Sequence, residues 1–68
     1  MRLGRVLIET RRDLGVSQAA LAARLGRPQS FVSKVERGQR RLDVVDFLKI
    51  ARALNRDPAV LLRRVMHG

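Results

Sequence analysis

Glycine, proline and helix-capping residues punctuate this chain into short pieces. Between the breaks, apolar residues recur at helical intervals, and the valines do not alternate strictly as in a strand. The result is five helix-like segments and an all-α fold class. The first runs from about Leu3 to Leu14, with Leu3, Leu7, Arg11 and Leu14 on one face. Gly15 stops it in the left-handed conformation. Ser17 is a good N-cap for the alanine-rich segment 18–25, and Gly26 ends that segment. Proline is tolerated at a helix start but not inside one, so the third segment begins after Arg27-Pro28. It continues to Arg37 and is closed by Gly38. The fourth opens with Asp43 as N-cap and Asp46 near the positive helix end. Leu42 and Phe47 are spaced for a hydrophobic staple, Leu48, Ala51 and Leu54 continue the apolar face, and Asn55 is the stop. The fifth has Asp57 as N-cap, Pro58 as first residue, and Leu61, Leu62 and Val65 as its apolar side.

With 68 residues the chain makes one domain, 1–68. Such a domain buries only roughly 60% of the surface its unfolded chain exposes, so it is marginal alone. Disulfides, a metal or oligomerisation are the usual reinforcements. The sequence has no cysteine, and its single histidine, His67, stands next to the end, so neither a disulfide nor a metal site is expected. Helix packing and a dimer partner remain. Hydrophobic residues make up 46% of the chain, enough for a core. No apolar run approaches the roughly 18 residues that span a membrane, and no secretion signal follows Arg2 and Arg5. A cytoplasmic protein is expected.

The formal net charge is +9, which favours polyanionic partners, chiefly nucleic acid. Position matters more than the total. Arg24, Arg27, Lys34, Arg37, Arg40 and Arg41 lie in one short stretch, opposed only by Glu36. Within it, the segment at about 29–37 has an uneven circumference. Phe31, Val32 and Val35 cluster within roughly a third of the circle, at 100° per residue. Ser30, Ser33, Lys34 and Arg37 occupy the opposite arc, with Gln29 at the leading edge. Two short helices joined through a glycine-containing turn make a helix-turn-helix candidate over about 18–37. The major groove of DNA admits such a helix.

The ordered stretches Arg11, Val16-Ser17-Gln18, Leu21-Ala22, Leu25-Gly26, Val32-Ser33-Lys34-Val35-Glu36-Arg37-Gly38 and Leu48-Lys49-Ile50-Ala51-Arg52-Ala53-Leu54 resemble the Cro/CI-type, or XRE, helix-turn-helix family. The resemblance covers residues 3–62. It implies a compact five-helix, repressor-like DNA-binding domain with its recognition helix at about 29–37. It further implies that Gln29, Ser30, Ser33 and Lys34 face base edges, while Gln18, Arg37, Gln39, Arg40 and Arg41 touch the DNA backbone. Gln18 would also brace Gln29. Arg11 and Glu36 would form a partly buried ion pair between the first and third helices. Glutamine can bond adenine bidentately and lysine can donate to guanine, so the residue types suit these roles.

Some positions depart from the family. Pro28 replaces the usual serine or threonine cap. Phe31 is larger than the small polar residue often found there and reads as packing against the core. Arg56 stands where an apolar residue is common. Val6 and Ile8 are apolar at places usually polar, and read either as scattered exposed residues or as part of a partner surface.

The function expected is sequence-specific binding of double-stranded DNA by a repressor-like transcriptional regulator. It would act as a homodimer on a palindrome, with Val60, Leu61, Leu62, Val65 and Met66 of the last helix either forming the interface or packing within the protomer, as at least Leu61 is needed to do. The alternative is an antitoxin-type module that binds a toxin and autoregulates its operon. An enzyme is not expected: no nucleophile–base pair, carboxylate pair, metal-ligand cluster or phosphate-cradling glycine loop appears, and no cofactor is implied. RNA binding is disfavoured because the chain has no Tyr or Trp and only two Phe to stack on bases.

Overall fold

The computed structural model describes residues 2–67, with side chains from 3 to 66, as five α-helices joined by short turns. They are α1 (Arg2–Asp13), α2 (Gln18–Leu25), α3 (Gln29–Glu36), α4 (Val44–Ala53) and α5 (Pro58–His67). No strand occurs among the described residues. The side chain of His67, the single histidine of the sequence, lies outside them. Three caps start helices. Ser17 Oγ accepts from the Ala20 N–H at 3.0 Å, Asp43 Oδ1 from Asp46 at 2.7 Å, and Asp57 Oδ1 from Ala59 at 2.8 Å. Each satisfies an amide that a first helical turn leaves without a partner. α3 differs: Pro28 holds its N-cap position in an extended conformation and supplies no side-chain bond.

The main core joins the first four helices. Leu7, Leu21, Ala22, Phe31, Val32, Val35, Ile50 and Leu54 are buried together. A smaller cluster, Val6, Ala51 and Leu61, forms where α5 packs on α1 and α4. Val6 is therefore a core residue, neither exposed nor part of a partner surface. The reason is tertiary. α1 is covered twice, by α3 and by α5, so it buries a second face beside the one carrying Leu7 and Arg11. Thr10 belongs to that second face. Its hydroxyl donates to the Val6 carbonyl at 2.7 Å and accepts from Arg64 Nη1 of α5 at 3.0 Å.

Two further expectations are corrected. Leu48 is 46% exposed, and the apolar face of α4 runs through Phe47, Ile50, Ala51 and Leu54 instead. Leu48 lies roughly 110° from the centre of that face at 100° per residue. Leu61 is 1% exposed, so it packs within the protomer and is unavailable as an interface residue. Val65 is half-buried against the same cluster. Val60, Leu62 and Met66 remain exposed, as do Val44, Val45 and Leu48 of α4.

One glycine sets how closely α1 approaches α3. A Cβ on Gly4 would lie 2.5 Å from the Glu36 carbonyl oxygen and 3.0 Å from that of Val35. Any side chain there would push the two helices apart. None of the described helices is long and apolar enough to cross a membrane.

Candidate nucleic-acid interface

The turn between α2 and α3 is built from Gly26, Arg27 and Pro28. Gly26 takes φ 66°, and its N–H reaches the Ala22 and Ala23 carbonyls. That closes α2 and redirects the chain within a few residues. α3 then packs its Phe31, Val32, Val35 and Glu36 side inward. Gln29, Ser30 and Lys34 are exposed, and Ser33 is half-buried at the edge of the contact. At the other end, Gly38 takes φ 74°, and the Gln39 N–H returns to the Lys34 carbonyl at 2.8 Å. The loop that follows carries Gln39, Arg40 and Arg41, all exposed. Arg37 is exposed too and lies back along the helix, with Nε donating to the Ser33 carbonyl at 3.4 Å.

A chain of hydrogen bonds runs from the core to this surface. Arg11 Nε donates to Glu36 Oε2 at 2.7 Å and Arg11 Nη2 to Glu36 Oε1 at 3.1 Å. The guanidinium also donates through Nη1 to the Val16 carbonyl at 2.9 Å, which ties in the α1–α2 turn. Both side chains are nearly dry, at 10% and 3% exposure. Gln18 Nε2 donates to Glu36 Oε1 at 2.9 Å, and Gln18 Oε1 accepts from Gln29 Nε2 at 3.3 Å. The carboxylate therefore fixes which way the Gln18 amide points, because only its nitrogen can donate. Gln18 in turn fixes Gln29. One Gln29 N–H and its carbonyl oxygen are left to face outward. Gln18 is half-buried, with its amide engaged at both ends, so as a side chain it acts first as a strut.

A second cluster lies at the foot of α3. Arg27 Nη2 meets Asp46 Oδ1 of α4 at 3.2 Å. The Arg27 guanidinium also sits 4.5 Å from the centroid of the Phe31 ring, and that of Arg40 sits 4.9 Å from the same ring. Phe31 thus packs into the core and carries two cations at once. The spacing of Arg27 and Phe31, four residues apart across a helix start, is visible in the sequence. The arrival of Arg40 and Asp46 is not. Arg24, counted in the basic stretch, turns away from this surface: its Nη1 donates to the Ala53 carbonyl at the end of α4 at 3.0 Å. Lys34, Arg37, Arg40 and Arg41 take part in none of the ion pairs among the described residues. They give this side of the molecule an uncompensated positive charge, suited to a polyanion.

The geometry has known counterparts. A family model described as helix-turn-helix matches residues 7–61. Among solved structures, the restriction-modification controller protein C.AhdI from Aeromonas hydrophila is 43% identical with a TM-score of 0.84, over 88% of this chain and 91% of that one. An XRE-family like protein from Pseudomonas syringae pv. tomato is 46% identical, also at 0.84, over 97% of this chain and 84% of that one. The clp gene regulator ClgR from C. glutamicum is 26% identical at a TM-score of 0.92, over 97% of this chain and 86% of that one. A search of curated proteins found no match. The matched stretch spans α2, its turn and α3 together with the helices that support them, and the chain belongs to the XRE, or Cro/CI-type, helix-turn-helix family of DNA-binding transcription regulators.

Proposed function

We propose that the protein works in the cytoplasm as a repressor-like regulator, a single domain that binds a short palindromic operator as a homodimer, with α3 of each protomer in the major groove. The observation that carries this reading is the two-sided α3. Phe31, Val32, Val35 and Glu36 hold it to the core, while Gln29, Ser30 and Lys34 stand outside. A helix of this length is about 12 Å long and fits a groove about 12 Å wide. Gln29 presents the donor and acceptor that remain after its bond to Gln18, the pair that adenine N7 and N6 require. Lys34 supplies a donor for guanine. Ser30 and Ser33 add adaptable hydroxyls, with Ser33 the shorter reach because it is half-buried. Arg37, Gln39, Arg40 and Arg41, with Gln18 at the start of α2, serve the backbone and set register without reading sequence. Binding then falls steeply with salt, as counterions are released from the DNA. The protein acts by occupancy and carries out no reaction.

The homodimer reading draws on the apolar surface shared by α4 and α5. Val44, Leu48 and Leu62 line an open groove there with little polar lining, and Val60 and Met66 extend the exposed apolar residues of α5. Exposed apolar surface of this kind on a small domain marks an interaction site. A second copy would bury it and supply affinity that one small module lacks.

Selection of bound duplexes from a random pool tests both parts. The expected product is a palindrome whose half-sites lie about one helical turn, roughly 34 Å, apart. Recovery of unrelated sequences overturns the specific reading, and recovery of a single half-site overturns the dimer. Leu48→Asp with Leu62→Asp is expected to give a monomer in sedimentation equilibrium and to weaken binding to the full palindrome far more than to one half-site.

A further inference from the structure

The cluster at the foot of α3 contains more than the phosphate contact expected of Arg40. We infer that Arg27 and Arg40, gathered on the ring of Phe31, form a two-guanidinium clamp for the DNA backbone. Arg27 is a second backbone-binding residue, and Phe31 is the residue that positions both. The inference deepens the reading of α3 as the DNA-facing helix and rests on it.

Three observations converge. The first is geometric. Arg27 precedes α3 and Arg40 follows it, yet their guanidiniums lie 4.5 and 4.9 Å from one ring centroid. A ring face attracts a cation through its quadrupole, so Phe31 draws together two side chains that repel each other. The second is charge. Asp46 compensates Arg27, while Arg40 forms no ion pair among the described residues. The cluster of two arginines and one aspartate therefore keeps a single positive charge, and one phosphodiester neutralises it. The third is placement. Both arginines are exposed, although the ring they cover is 7% exposed. At 100° per residue, Phe31 lies about 60° around α3 from exposed Lys34 and about 100° from exposed Ser30. Arginine's planar fork matches phosphate oxygens bidentately, and holding it in place beforehand reduces the ordering that binding requires. A DNA strand offers a phosphate about every 3.4 Å of helix axis, so one or two consecutive phosphates suit the pair.

The test titrates Arg27→Gln, Arg40→Gln, Phe31→Leu and Phe31→Tyr, and the Arg27→Gln, Arg40→Gln pair with and without Phe31→Leu, against a selected duplex and a random duplex over a range of potassium chloride concentrations. Circular dichroism confirms that each is folded. Each arginine variant is expected to weaken both duplexes by about the same factor and to lower the salt slope by about one. Phe31→Leu keeps every charge. It is expected to weaken both duplexes about three- to tenfold, as two arginines lose their ordering, and Phe31→Tyr restores binding. In the Arg27→Gln, Arg40→Gln background, Phe31→Leu has no further effect on affinity. An Arg27→Gln protein with wild-type affinity and salt slope overturns the clamp, and does so even where Phe31→Leu fails to fold. So does an equal loss from Phe31→Leu in both backgrounds, the mark of packing alone. In either case Gln29→Ala still changes base preference and the reading of α3 stands. A folded wild-type protein that binds neither duplex removes that reading, and the clamp with it.

Discussion

Two arginine–carboxylate pairs border α3, and they are alike in chemistry and unlike in almost everything else. Arg11 and Glu36 meet at 2.7 Å with side chains 10% and 3% exposed. Arg27 and Asp46 meet at 3.2 Å with side chains 38% and 14% exposed. In the buried pair the carboxylate also accepts from Gln18, and the guanidinium also reaches the Val16 carbonyl. No buried side-chain polar atom among the described residues lacks a partner. That pair therefore has nothing left to offer a ligand, and its value is to hold α1, α2 and α3 in one arrangement. The outer pair is more open to solvent on its arginine side, and that arginine also rests on an aromatic ring. A pair of this kind is expected to contribute little to stability. Burial and completeness of hydrogen bonding, rather than the type of residue, separate a strut from a contact.

Four substitutions break or sharpen that contrast. The largest effect is expected from Glu36→Ala. It strands the Arg11 charge in the interior and should cost about 3–5 kcal/mol of folding stability. An unchanged melting temperature would refute the strut. Next comes Gly4→Ala, which puts a methyl against the Glu36 and Val35 carbonyls. Forcing the two helices apart should cost about 1–3 kcal/mol in urea unfolding. A neutral result would mean that the α1–α3 contact yields easily, and that the ion pair alone sets the helix spacing.

Gln29→Ala stands at the outward end of the same hydrogen-bond chain. It should lose about 1–3 kcal/mol of discrimination at one or two base positions. Its folding stability should move by no more than about 0.5 kcal/mol, as expected of a surface position. Equal weakening on every single-base variant of the operator would instead make Gln29 a backbone contact. Smallest is Asp46→Asn at the outer pair, worth less than about 1 kcal/mol in stability and less again at high salt. A loss matching that of Glu36→Ala would erase the distinction between the two pairs.

Much of the architecture was legible because it is local. Ser17, Asp43 and Asp57 announce helix starts through hydroxyl and carboxylate chemistry that acts within three residues. The inward arc of α3 follows from its period, and Val32 and Val35 are buried where that arc places them. Leu48 misled because a spacing of three admits two neighbouring faces, and only the helices packed against α4 choose between them. Val6 was misassigned, and the interface reading of Leu61 fails, for a related cause. Which of two apolar faces a helix keeps dry depends on a partner element far away in the chain.

The order of segments, their caps and breaks, and the two-sided character of α3 were thus determined by the sequence alone, since each depends on steric and hydrogen-bonding preferences among near neighbours. The pairing of Arg11 with Glu36 was implied by the family resemblance, and their contact belongs to the folded chain. Gly4 against the end of α3, Arg64 on Thr10, and the meeting of Arg27, Phe31, Arg40 and Asp46 were decided by tertiary structure. Apart from Arg27 and Phe31, four residues apart, these contacts join residues whose spacing follows no helical period. They form because burying the core brings together helix ends and loops, and side chains found there pair through charge and ring contacts that no local pattern encodes.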